Sequence, residues 1–199
     1  MPKRRRKPKN TATSDIGGED SVVLRETAPL QLRYYGDPVL RKKAEPVAEI
    51  ADAERQFADE MLMTLEATGN GIGLAATQVG VLKRLIIVNI GEEDDEEYEP
   101  LVLFNPEILS SDGEIVAEEG CLSIPDVTAD VKRPENIVVE GLNAYGESVH
   151  IEADGLLARF LQHEIDHLNG ILFIDRISGL KRRLLSDELQ KLQRAERPV

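Results

Sequence analysis

The stretch Leu156-Leu157-Ala158-Arg159-Phe160-Leu161-Gln162-His163-Glu164-Ile165-Asp166-His167-Leu168-Asn169-Gly170 decides the reading of this chain. Its middle is an H-E-x-x-H sequence, which carries chemical meaning only on a helix. At about 100° per residue, Leu156, Phe160 and His167 all fall within about 60° of His163. Leu157, Leu161, Ile165 and Leu168 form a second apolar stripe beside them. Arg159, Gln162, Asp166 and Asn169 share one narrow polar strip. The pattern predicts a deeply packed helix over residues 156–169 that carries both histidines inward and is ended by Gly170.

Side chains at i and i+4 project side by side, so His163 and His167 can bind one ion through imidazole nitrogens. Glu164 flanks the pair, where it can take the proton of a water activated at that ion. The bland alternative is two satisfied core histidines. It sits poorly with the placement here of two of the chain's three histidines. A catalytic metal also needs a third protein ligand and an open position. The extended pattern with a third histidine downstream fails, because Phe173 stands at that place. From the residues alone two candidates stay open. Glu188 lies downstream, as in a metallopeptidase, though on what reads as a polar face of the terminal helix. Cys121 lies upstream in Glu118-Glu119-Gly120-Cys121-Leu122-Ser123, past a strand signal. Its glycine and acidic neighbours favour a thiolate at a turn, although a lone cysteine is more often a small buried hydrophobe. A non-catalytic metal domain is a further alternative, and would make Glu164 dispensable.

Further out, Gly71-Ile72-Gly73-Leu74-Ala75-Ala76-Thr77-Gln78 follows a helix rather than a strand, which excludes a dinucleotide fingerprint. Its glycines let backbone approach a ligand closely, and Gln78 offers an amide donor. A helix is expected over 49–67, with Ile50, Phe57, Met61 and Leu65 at helical spacing, and a buried strand over Arg84–Ile90. Short strands are expected at 101–104, 114–117, 127–131, 136–141 and 147–152. Connections this short favour antiparallel pairing. An amphipathic helix with Leu180, Leu184, Leu189 and Leu192 is expected to close the chain. The fold class is therefore α+β: antiparallel sheets around a central buried helix, with one helix before them and one at the C-terminus.

The 199 residues suit one domain, and the single cysteine gives no sign of an oxidising compartment. No apolar run approaches the roughly 20 residues of a membrane span, and no signal sequence follows the basic start. Residues 1–10 carry six positive charges and no acid, so the rest of the chain stands at −19 against a total of −13. An acidic body argues against sequence-specific nucleic-acid binding. Residues 1–28 read as a disordered basic extension and 29–199 as a single metallohydrolase domain. Glu92–Glu99, with seven carboxylates in eight positions, reads as a solvated hairpin tip.

Taken together, Gly71–Gln78, Glu119-Gly120-Cys121-Leu122-Ser123 and Gln162-His163-Glu164-Ile165-Asp166-His167, in this order, resemble the peptide deformylase family. Its G-x-G-x-A-A-x-Q, E-G-C-L-S and Q-H-E-x-D-H segments match at every defining position. The likeness covers about residues 31–180 and begins with Arg33-Tyr34-Tyr35-Gly36-Asp37-Pro38. It implies removal of the N-formyl group from the formylmethionine of nascent peptides. It also implies one divalent ion on Cys121, His163 and His167, with Fe(II) expected and Zn(II), Ni(II) or Co(II) as substitutes. Glu164 would be the acid–base. Gln78 and the Leu122 N–H would steady the oxyanion. Ile72, Gly73 and Gly120 would meet the substrate backbone, and Phe160 the methionine side chain. The expected address is the bacterial cytoplasm, with an organelle of bacterial descent as the lesser alternative. Ribosome contact through the basic arm or terminal helix is a further expectation.

Overall fold

The structure is a computed structural model that describes residues 28–91 and 99–195. The basic extension and most of the acidic run at 92–99 lie outside the described residues. In chain order the elements are α1 (Asp52–Ala67), β1 (Gly73–Ala75), β2 (Leu85–Val88), β3 (Leu101–Asp112), β4 (Ile115–Cys121), β5 (Ile124–Arg133), β6 (Asn136–Leu142), β7 (Ser148–Asp154), α2 (Gly155–Leu168), α3 (Gly179–Leu184) and α4 (Ser186–Arg194). Short 3-10 turns occupy Pro38–Arg41, Ala76–Val79 and Phe173–Asp175.

All strand ladders are antiparallel. One sheet has the order β1-β2-β3-β6-β7, and β4 and β5 form a separate two-stranded hairpin. The hairpin is inserted between two neighbouring strands of the larger sheet: the chain leaves β3 at Asp112, makes β4 and β5, and returns as β6 beside β3. Strand alternation then sorts the side chains of β2. Ile86 and Val88 join Leu161, Ile165 and Leu168 of α2 in one core. Leu85 and Ile87 join Ala58, Met61 and Leu65 of α1 in a second, on the opposite face. A third core lies under the hairpin, where Ile124, Val127 and Val131 meet Leu40, Leu172, Phe173 and Leu189.

Helix α2 is thus sandwiched, its apolar face on the large sheet and its other side on the hairpin. That arrangement revises the sequence expectation for its polar strip. Arg159, Gln162 and Asp166 are buried, while Leu156, assigned inward by the helical wheel, is 57% exposed. The strip finds partners in and beside the hairpin: Arg133 of β5 donates to Asp166 at 2.8 Å and Arg159 donates to the Val131 carbonyl at 3.2 Å. Gln162 Nε2 donates to the Pro134 carbonyl at 3.0 Å and to the Ala158 carbonyl at 2.9 Å.

The strands run longer than their apolar patterns, because the ladders continue through residues of exposed and mixed character such as 105–112. The terminal helix also differs. It breaks at Leu185 into α3 and α4; Leu189 is buried and Leu192 half-buried against the third core, while Leu180 and Leu184 are 70% and 75% exposed. At about 100° per residue Leu180 and Leu184 point away from Leu189, so the four leucines do not make one stripe and only Leu189 and Leu192 reach the core.

Candidate active site

Both histidines sit on the buried middle of α2, one turn apart, with ring centroids 4.9 Å apart. Cys121 reaches them from the last residue of β4, where the ladder is irregular. Glu119 pairs with Ala129 and Cys121 with Ile124, so β5 carries three more residues than β4 across this stretch. The bulge, with Asp126 at φ +63°, turns the hairpin end toward α2. Cys121 Sγ, His163 and His167 then present ligand atoms within 4.8 Å of one another. Sγ lies 3.2 Å from His167 Nε2. Among the described residues no other His, Cys, Asp or Glu joins this group. Glu188 is exposed on α4 and is not part of it, so the metallopeptidase alternative is left without its ligand.

The remaining nominated residues converge on the same place. Ile72, Gly73, Gln78, Gly120, Cys121, Leu122, Phe160, His163 and Glu164 all line one cleft of about 430 Å³. Gly73 belongs to β1, which among the described residues pairs only with β2, and it lines this cleft. A Cβ on Gly73 would stand 2.4 Å from Glu164 Oε1; the bare backbone is what lets the strand lie on the carboxylate. Gln78 Oε1 accepts from the Ala75 N–H at 2.7 Å, which fixes the amide. Its Nε2 is thereby aimed at Cys121 Sγ, 3.5 Å away, and Ser123 Oγ, 3.3 Å away.

Sequence reading left out the charges behind the histidines. Glu119 is buried and accepts from Arg133 Nε at 2.6 Å and from Arg159 Nη1 at 2.5 Å. Its second oxygen lies 3.1 Å from His163 Nδ1. Arg133 continues to Asp166 at 2.8 Å, and Arg176 holds Asp166 from the other side. Phe173, noted in the sequence only as a missing histidine, is buried with its ring stacked on His163 at 6.4 Å between centroids. The available signal was the number of charged residues on a helix with no free face.

This setting fixes the electrostatics. Burial disfavours the Glu119 anion, yet the bonds from His163 and Arg133 outweigh it and hold the acid at about 2. Burial likewise disfavours a charged His163, but the Cys121 sulfur and the Glu119 carboxylate raise it to about 10. The anions that favour a proton on His163 favour any cation at its free nitrogen. His167 is driven well below the ordinary imidazole range by burial and by the His163 and Arg133 charges, which suits a neutral ligand. Glu164 is raised to about 7, chiefly by burial. Its Oε2 and His167 Nδ1 are buried without a protein partner. A buried carboxylate oxygen of that kind fits a site that takes an ion and its water, and the donor set of one sulfur and two imidazoles suits a divalent transition metal.

Geometry of this kind defines a class, the metal-dependent hydrolases of the H-E-x-x-H type. Comparison with known proteins narrows it. The family model described as polypeptide deformylase matches residues 29–183. A peptide deformylase of Thermodesulfovibrio yellowstonii is 54% identical over 79% of this chain and 94% of its own length. That of Wolinella succinogenes is 52% identical over 83% of this chain and 98% of its own. A crystal structure of a peptide deformylase from Synechococcus elongatus in complex with actinonin superposes with a TM-score of 0.77 at 47% identity, over 86% of this chain and 93% of that one. The chain belongs to the peptide deformylase family and is an enzyme that removes the N-formyl group from nascent peptides. Among the described residues, no helix is long and apolar enough to cross a membrane.

Proposed function

We propose that Cys121 Sγ and imidazole nitrogens of His163 and His167 hold one divalent ion, and that Glu164 moves the proton in hydrolysis of the formyl amide. The observation that carries this reading is the convergence of the three ligand atoms within 4.8 Å at the cleft that Glu164 lines. When bound, the ion supplies Lewis acidity, polarising the formyl carbonyl and making water a better nucleophile. Glu164 takes the proton of the attacking water and returns it to the leaving amine, a role suited to a carboxyl raised toward neutrality. Glu119, on His163 Nδ1, orients that ring and leaves Nε2 for the ion.

Gln78 Nε2 and the Leu122 N–H would meet the oxyanion, the amide held in place through Oε1. The free edge of β1 at Ile72 and Gly73, opposite Gly120, would take the peptide backbone as an added strand. Phe160 in the cleft wall supplies apolar surface for methionine. A formyl carbon bears only hydrogen, so a close-fitting cleft excludes acetyl by shape. Fe(II) is our reading for the ion in the cell; Zn(II), Co(II) and Ni(II) satisfy the same donors.

The test is anaerobic formate release from formyl-Met-Ala-Ser, with metal content recorded for wild type, Cys121→Ser and Glu164→Ala. Cys121→Ser is expected to lose metal. Glu164→Ala is expected to keep metal and lose roughly 10²–10⁴ in rate. Metal retained in Cys121→Ser, or full rate in Glu164→Ala, would refute these roles.

A further inference from the structure

The two elements that bear the three ligands are distant in sequence, and each is held by a different sheet. Cys121 ends the hairpin; His163 and His167 ride on α2. Several side chains bridge them, and one on α2 reaches both strands of the hairpin. Arg159, one turn before His163 and only 5% exposed, spends its guanidinium entirely on the hairpin. Nη1 donates to Glu119 Oε1 at 2.5 Å, to the Val131 carbonyl at 3.2 Å and to the Ala117 carbonyl at 3.5 Å. Nη2 donates to the Ile115 carbonyl at 3.2 Å. The partners span both hairpin strands: Ile115, Ala117 and Glu119 on the strand that leads to Cys121, and Val131 opposite. Glu119 passes the connection back to His163 Nδ1 at 3.1 Å.

We propose that Arg159 is a positioning residue that sets the distance between the thiol and the two imidazoles, by clamping α2 to the Cys121 hairpin and by holding Glu119 against His163. The proposal rests on the metal site read above. Arg133 cannot do the same alone. It lies on the hairpin itself and reaches α2 at Asp166, on the polar strip, with its other contacts on Glu119 within the same hairpin. Only a planar fork can serve a carboxylate and carbonyls on two strands together, and a single ammonium would serve some of them.

The test compares wild type, Arg159→Lys and Arg159→Met as full-length proteins. Its readouts are the metal dissociation constant by chelator competition, the absorption spectrum of the Co(II) form, kcat and KM at saturating metal, and far-UV circular dichroism. Metal affinity should fall in the order wild type, Lys, Met, with Arg159→Met weaker by roughly 10–100-fold. The sulfur-to-cobalt and ligand-field bands should shift with it, and kcat should fall more than KM rises. An Arg159→Met protein with wild-type affinity and spectrum, whatever its melting temperature, overturns the proposal. Should that variant fail to fold, Arg159→Lys decides: affinity and spectrum equal to wild type overturn it. Cys121→Ser run alongside separates the two claims, since metal and cobalt bands unchanged there would refute the site itself rather than the clamp.

Discussion

At the scale of single residues, the site depends as much on a missing side chain as on those present. Gly73 exposes backbone against Glu164, and a methyl group there would meet Oε1 at 2.4 Å. Glu164 is 2% exposed and has little room to yield. Gly73→Ala should therefore leave metal content unchanged while displacing the carboxylate. A misplacement of about 1 Å costs on the order of 10²-fold in rate. Formate release at saturating metal measures it, and a rate within threefold of wild type would show that the carboxylate adapts. That Cys121, His163, His167 and Glu164 are candidates was legible in the sequence because their types and spacings suit metal-site chemistry, and the structure brings the four together. The partners behind them were not, since a buried glutamate or arginine looks the same in sequence as one in water.

At the scale of elements, α2 is fixed at its C-terminal end. Gly170 follows it at φ +72°, and its α-carbon faces the Arg41 carbonyl so closely that a Cβ would lie 2.6 Å from that oxygen. Gly170→Ala should destabilise the fold by more than the roughly 1–2 kcal/mol of a left-handed alanine, because the obstacle is backbone. Urea unfolding would show it; a loss below about 0.5 kcal/mol would mean that the 38–41 turn moves aside at little cost. The terminal leucines show where a loose apolar count misleads. At about 100° per residue Leu180 and Leu184 lie roughly 140–180° from Leu189, and they are exposed while Leu189 is buried.

For the whole molecule, long-range charge pairs tie the N-terminal turn to the segment after α2. Asp175 takes Arg41 on one side and Arg182 on the other, the latter at 3.0 Å, and accepts from the Leu172 N–H at 2.9 Å. Burial opposes its charge, but the Arg41 and Leu172 bonds outweigh that and lower its pKa below the ordinary aspartate value. A depressed carboxyl stabilises the fold fully above its unfolded value and loses that contribution as pH falls through its folded value. The urea midpoints of wild type and Asp175→Asn should thus differ at neutral pH and converge in acid, below the ordinary aspartate range; a gap constant down to acid would assign the effect to packing. The sequence by itself determined the α+β class, the buried helix and which residues are candidates for chemistry, because helical period and ligand type act locally. Tertiary structure alone decided that the polar strip of α2 is buried, that Cys121 arrives from an irregular hairpin ladder, and that Glu119, bonded by Arg133 and Arg159, meets His163. Those outcomes depend on which surfaces meet, and spacing along a chain does not carry that information.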